Sequence, residues 1–202
     1  MIEATRSPMQ PPKVQGVLIG DEMGLGKTAQ ALAVCKALQA ERVLIVCPST
    51  LRQNWKREIR KVLQREDVHV LLGTKPSPVR EKIAIIGYDV LYAWSGLLSA
   101  DVLILDEVHA VKSWTARRTK AAVEVADRVR ARGGIVLGLS GTPVLNRPME
   151  LASILRTLGL LSLVGGVDRL SAVGTAPRRL VALNNELRKT GYVRRPWQPR
   201  QR

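Results

Sequence analysis

Apolar runs of three to six residues recur along the chain, and stretches of helical spacing separate them. Val17-Leu18-Ile19, Arg42–Cys47, Val68–Leu72, Ile83–Ile86, Val102–Leu105 and Ile135–Leu139 read as strands. Apart from Arg42 and His69 they are apolar rather than alternating, which is how strands buried on both faces read. Between them, Ala29–Ala40 places Ala31, Val34, Cys35 and Leu38 at helical spacing. Leu51–Leu63 places Leu51, Trp55, Ile59, Val62 and Leu63 on one face and its arginines and lysines elsewhere. Helices are also predicted over Val90–Leu98, over 116–131 with Ala122, Val125, Ala126 and Val129 inward, and over Arg147–Leu158. Residues 1–16, with Pro8, Pro11 and Pro12, read as an extended lead-in. Strands alternating with helices predict an α/β domain with a mainly parallel sheet. That domain is expected over 17–164, followed by a basic tail over 165–202 in which Leu180–Lys189 is a further helical candidate.

The turn after the first strand carries the clearest chemistry. Gly20-Asp21-Glu22-Met23-Gly24-Leu25-Gly26-Lys27-Thr28 joins a strand to a helix, the setting of a phosphate-binding loop. Its glycines let successive N–H groups turn inward on a phosphate, and the helix N-terminus adds positive potential. Lys27 is placed to reach the β- and γ-phosphates of ATP, and the Thr28 hydroxyl to ligate Mg²⁺. Asp21 stands where the general pattern has glycine. A second signature follows about 80 residues on, where the fifth strand runs into Asp106-Glu107-Val108-His109. Acidic residues at the carboxyl end of a buried parallel strand sit where open α/β sheets bind ligands. Asp106 fits the carboxylate that holds Mg²⁺, and Glu107 a group that orients or deprotonates the attacking water. The sixth strand empties at the same edge into Ser140-Gly141-Thr142-Pro143.

Composition sharpens this picture at three points. The 202 residues carry a formal charge of +15, which points to a polyanionic partner. Nine Lys/Arg against two Asp/Glu in the last 38 residues give the tail +7 of that total. Apolar content of 46% without phenylalanine predicts an aliphatic core. Cys35 and Cys47 lack metal-ligand spacing and are expected as core thiols of a reducing compartment. With no secretory signal and no run long enough to span a membrane, the chain is expected to be soluble and intracellular.

Taken together, these motifs resemble the Swi/Snf-type ATPases, the superfamily-2 DNA translocases, in which the Asp-Glu-x-Gly form of the loop is usual. The resemblance runs in register over roughly 17–195. It takes in Leu44–Leu51 with Trp55, Tyr88-Asp89, the Asp-Glu-Ala-His-like box at Asp106–His109, and Lys112-Ser113. It continues through Ser140–Pro143 with Asn146 and Glu150-Leu151, then Leu187-Arg188 and Val193-Arg194-Arg195. It is closest to compact annealing-helicase-like members and to bacterial or viral ones. The resemblance implies a RecA-like lobe with helices on both faces of the sheet and an ATP site at the strands' carboxyl ends. It implies that His109, Ser140, Gly141 and Thr142 couple the nucleotide to DNA and to a second lobe. It also implies that loops holding Pro48, Ser49, Thr50, Tyr88 and Lys112 touch the backbone of duplex DNA without reading sequence.

Two family features have no counterpart here. Residues 1–16 do not resemble the adenine-reading helix, for which Gln10 and Gln15 are poor substitutes. The second RecA-like lobe, which supplies the arginines that complete the site, is absent from these residues. Three readings stay open: a motor lobe served by a second lobe on another chain, a nucleotide- or DNA-binding module without turnover, and a truncated or split-gene product.

Overall fold

The computed structural model describes residues 15–141, 148–173 and 192–193. The first half runs β1 (Gly16–Ile19), α1 (Lys27–Ala37), β2 (Val43–Cys47), α2 (Arg52–Leu63), β3 (Val68–Leu71), β4 (Ile83–Gly87) and α3 (Leu91–Trp94). The second runs β5 (Val102–Leu105), α4 (Arg117–Ala131), β6 (Ile135–Leu139), α5 (Pro148–Leu158), α6 (Gly166–Val173) and β7 (Tyr192–Val193). The strands form one sheet in the order β3-β4-β2-β5-β6-β1-β7, and every pairing is parallel.

That order explains where the helices go. From β1 the chain steps one way across the sheet to β2 and β3, then turns and steps back through β4, β5 and β6. Right-handed crossovers in opposite directions place their helices on opposite faces. Accordingly, α1 and α2 cover one face, packing Ala31, Leu32, Cys35, Trp55 and Ile59 onto Ile45, Ile85, Ile104 and Leu137. The opposite face packs Leu91, Ala122, Val125, Leu155 and Leu158 onto Leu44, Ile86, Leu103 and Val136. Strands β2, β4, β5 and β6 are buried at every position, as their unbroken apolar runs predict. All the loops that leave strand carboxyl ends therefore gather at one edge.

Element boundaries differ where the backbone, not hydrophobic spacing, decides. α1 begins at Lys27, two residues earlier than its apolar spacing indicates, because the left-handed Gly26 (φ 74°) sets its start. It ends at Ala37 because Gln39 turns left-handed (φ 50°) and the Ala40 amide reaches back to the Cys35 carbonyl at 3.0 Å. The helix expected over Val90–Leu98 is one turn of α-helix that tightens into a 3₁₀ turn at Ser95–Leu97. α6, for which the sequence pattern gives no signal, packs on α5 and buries Leu170. The helical candidate at Leu180–Lys189 lies outside the described residues. Close packing at the start of β1 is absolute: a Cβ on Gly16 would sit 1.9 Å from the Leu158 carbonyl oxygen. Both cysteines are free and buried, and burial pushes their thiols up to about 12.

Candidate nucleotide site

The loop 20–26 is held by its own helix. Asp21 is fully buried, and Gln30 Nε2 on α1 donates to its Oδ2 at 3.0 Å and to the Leu25 carbonyl at 2.9 Å. Gln30 thus ties both limbs of the loop, and Asp21, standing where other phosphate loops have glycine, supplies the acceptor. Gly24 and Gly26 have φ of 82° and 74° with nothing near a would-be Cβ, so backbone conformation rather than space demands glycine there. α1 has no side-chain cap at Gly26, which leaves its first-turn amides for an anion. Lys27 Nζ, expected at the phosphates, donates instead to the carbonyls of Asp21 (2.8 Å) and Glu22 (3.1 Å). Thr28 beside it is half-buried. Met23 at the loop tip is exposed.

The acidic half is built from more distant parts. β5 delivers Asp106 to the carboxyl edge, where its amide donates to the Val46 carbonyl at 2.8 Å. Its Oδ2 accepts the Trp55 indole N–H at 2.8 Å, and its Oδ1 the Glu107 amide at 2.9 Å. Burial pushes the Asp106 carboxyl above its ordinary value. The Trp55 and Glu107 hydrogen bonds and the Lys27 charge pull the other way. Glu107 is left-handed at φ 48°, uncommon for a residue with a side chain, and its Oε2 lies 3.2 Å from His109 Nδ1. The 3₁₀ turn Val108–Val111 that holds this conformation is itself pinned. Ser153 Oγ donates to the Val111 carbonyl at 2.6 Å and Arg118 Nε to the Ala110 carbonyl at 2.7 Å.

The two halves meet across the end of β6. The buried Ser140 donates its amide to the Ile19 carbonyl at 3.0 Å. A Cβ on Gly141 would stand 2.9 Å from Met23 Cγ and 3.4 Å from Lys27 Nζ. Gly141 therefore lies directly against the phosphate loop and its lysine. Thr142, Pro143 and Asn146 lie outside the described residues.

Not every expected residue is placed as expected. Ser49 and Thr50 are exposed and Pro48 half-buried at the end of β2; Ser49 Oγ donates to Asp89 at 3.3 Å. Lys112 is exposed but pairs with Glu150 at 3.5 Å. The Tyr88 hydroxyl, expected at a phosphate of DNA, instead donates to the Asp106 carbonyl at 2.9 Å, with the ring only 6% exposed. Tyr88 thus holds the Asp106 backbone in place from behind. Gln15 lies at the opposite edge of the sheet, where Nε2 donates to the Arg130 carbonyl, so it cannot reach a base bound at the loop. Motif spacing misses Gln30 altogether, and it names Trp55 without its bond to Asp106. A buried indole must find an acceptor, and that requirement was the available signal for Trp55.

The donors suit Mg²⁺. The Thr28 hydroxyl and the Asp106 carboxylate offer hard oxygens, and each Asp106 oxygen accepts one hydrogen bond and keeps lone-pair capacity. Among the described residues no group of three His, Cys, Asp or Glu side chains could hold a metal. Among them, too, no helix is long and apolar enough to cross a membrane.

Comparison with known proteins agrees with this geometry. The family model for the SNF2-related domain matches residues 7–164. A Caenorhabditis elegans homolog of the SWI/SNF-related matrix-associated actin-dependent regulator of chromatin subfamily A-like protein 1 is 32% identical over 151 residues. Those cover 70% of this chain and 21% of that protein. The DNA annealing helicase and endonuclease ZRANB3 of Mus musculus is 35% identical over 150 residues, 66% of this chain and 13% of its own length. The chain thus spans less than a quarter of either relative. In fold it resembles the Sulfolobus solfataricus SWI2/SNF2 ATPase core in complex with dsDNA, with a TM-score of 0.71 at 23% identity over 90% of this chain and 40% of that one. With its phosphate loop and Asp-Glu box on one edge of a RecA-like parallel sheet, and with the family model covering most of its length, the chain belongs to the SNF2-related domain family.

Proposed function

We propose that this chain is the ATP-binding lobe of an SNF2-type DNA-dependent ATPase. The observation that carries the reading is the meeting of Lys27, Gly141 and the loop 20–26 at the edge to which β5 delivers Asp106. The amides of Gly24–Lys27 and the Lys27 ammonium bind the phosphates of ATP. Thr28 and Asp106 hold Mg²⁺, which would neutralise phosphate charge and orient the γ-phosphoryl group. Glu107, fixed beside Asp106 by its left-handed backbone, orients the attacking water. His109, Ser140, Gly141 and Thr142 relay the nucleotide state outward. Free, buried thiols support an intracellular setting. The working lobe is assigned to 17–164 and the basic tail to 165–202, with a second RecA-like lobe as partner.

Duplex DNA is the second partner. The neighbouring Sulfolobus core is bound to dsDNA. Here Pro48, Ser49, Thr50 and Lys112 lie on loops at the sheet's carboxyl edge and offer amides, hydroxyls and a cation, groups that contact phosphates and carry no base code. Binding is expected to be independent of sequence and governed by counterion release. If about four phosphates are neutralised, log affinity falls with log salt at a slope of about −3.6. Fluorescence anisotropy with unrelated duplexes at stepped salt measures this. An affinity that ignores salt, or strong preference for one sequence, overturns the DNA assignment.

A further inference from the structure

The chain has seven aromatic side chains, four Trp and three Tyr. Three of them, Trp55, Trp94 and Tyr88, are buried and donate to internal acceptors. Tyr92 and Trp114 are different: each is 38% exposed. Both stand on segments that have just left strand carboxyl ends, Tyr92 in α3 after β4 and Trp114 in the turn before α4 after β5. The Arg117 guanidinium sits 4.3 Å from the Tyr92 ring centroid, and Arg117 follows Trp114 by three residues. Trp114 is held by its edge, where Nε1 donates to the Met149 carbonyl at 3.2 Å.

The segment that carries Trp114 and Arg117 is one-sided in charge, and the nearby acids Glu124 and Glu150 are paired with Arg128 and Lys112. Residues 112–120 carry Lys112, Arg117, Arg118 and Lys120 and no acid. The last three fall in the first turn of α4, which has neither an acidic residue nor a side-chain cap. Cations there oppose the positive end of the helix dipole. Lys112 pairs with Glu150 and Arg118 is occupied by the Ala110 carbonyl. Among the described residues no ion pair reaches Arg117 or Lys120. Exposed flat rings beside uncompensated cations fit a partner that is both anionic and flat-faced.

We propose that Tyr92, Trp114, Arg117 and Lys120 form a docking surface for single-stranded DNA. Phosphates meet Arg117 and Lys120, and unpaired bases stack on Trp114 and on the Arg117–Tyr92 pair. A duplex has its base faces already covered and meets this surface through charge alone, so the rings discriminate between the two forms. The choice of DNA rests on the reading given under the proposed function; the stacking surface rests on these side chains.

The test is anisotropy of the full chain with a labelled oligothymidylate of about twenty nucleotides and, separately, with a duplex. Trp114→Ala is expected to weaken single-strand binding about tenfold, within the range that one base stack contributes. Duplex affinity is expected to fall by less than about twofold, and Trp114→Phe to keep most of the single-strand affinity. Thermal melting of each variant checks folding, and Tyr92→Ala carries the same expectation if the Trp114→Ala variant melts early. Equal losses on both forms, or no loss on the single strand, overturn the proposal while leaving the DNA assignment in place. Polyglutamate that displaces the label as readily as unlabelled oligothymidylate overturns it in favour of an acidic protein partner. A chain that binds neither form of DNA fails the DNA assignment itself.

Discussion

Purified by itself, the 202-residue chain is expected to turn over ATP close to the uncatalysed background, even with duplex DNA present. Phosphoryl transfer spreads charge over the equatorial oxygens of the γ-phosphoryl group, and catalysis consists mainly of positioning and neutralising that charge. The near side of the site is provided for by Lys27, the first-turn amides of α1 and the oxygens placed for Mg²⁺. The far side is not. Among the described residues the loops 20–26, 48–50, 88–89, 106–109 and 140–141 carry no arginine, and Arg147, at the end of the loop after β6, lies outside them. An arginine delivered from outside is worth about 10³–10⁵ in rate in phosphate-loop enzymes. Phosphate release should therefore stay low and rise when a chain bearing a second lobe is added. A DNA-stimulated rate on the order of 1 s⁻¹, ordinary for an enzyme, from the monomer alone would contradict this.

Lys27→Ala is expected to weaken ATP binding about a hundredfold. The Nζ atom now donates to two carbonyls of its own loop, at 2.8 and 3.1 Å. Those are neutral acceptors, and an arriving phosphate offers charged ones in the same small volume. Hydrogen bonds to charged groups contribute about 1.5–3 kcal/mol each, and one or two of them give a loss near 3 kcal/mol. Gln30 and Asp21 hold the loop without the lysine, so the variant should fold normally. ADP, which lacks the γ-phosphate, should lose less than ATP. Displacement of a fluorescent nucleotide by each measures the difference. Equal affinities for wild type and variant would show that the phosphates lie elsewhere.

How much of this is legible in the sequence depends on the distance over which each feature is decided. The parallel strands are plain because a strand buried on both faces must be apolar at every position, as β2, β4 and β5 are. The positions of the loop after β1 and of Asp106 are plain because each follows directly on an apolar strand. The rest is settled between distant residues. The Trp55–Asp106 bond spans 51 positions and exists only because α2 packs against the face from which β5 ends. Tyr88 reads as a surface contact by motif, yet β4 and β5, lying on either side of β2, bring its hydroxyl to the Asp106 carbonyl. Gln15 is misplaced for a base-reader by the same parallel geometry, which sends the start of β1 to the far edge. The left-handed Glu107 leaves no pattern, since the turn that holds it draws on Ser153 and Arg118 from two other helices.

The central claim is that the loop after β1 and the carboxylate after β5 form one Mg-ATP site. The most direct test is calorimetric titration of ATP with and without Mg²⁺ into wild type and Asp106→Asn. The substitution preserves the size of the side chain and an acceptor for the Trp55 N–H, gives up the acceptor for the Glu107 amide, and removes the charge that a cation needs. Mg²⁺ is expected to strengthen ATP binding to the wild type and to have little effect on Asp106→Asn, whose Mg²⁺-free affinity should be nearly unchanged. Equal strengthening by Mg²⁺ in both proteins would contradict the account, because the metal would then be held without Asp106.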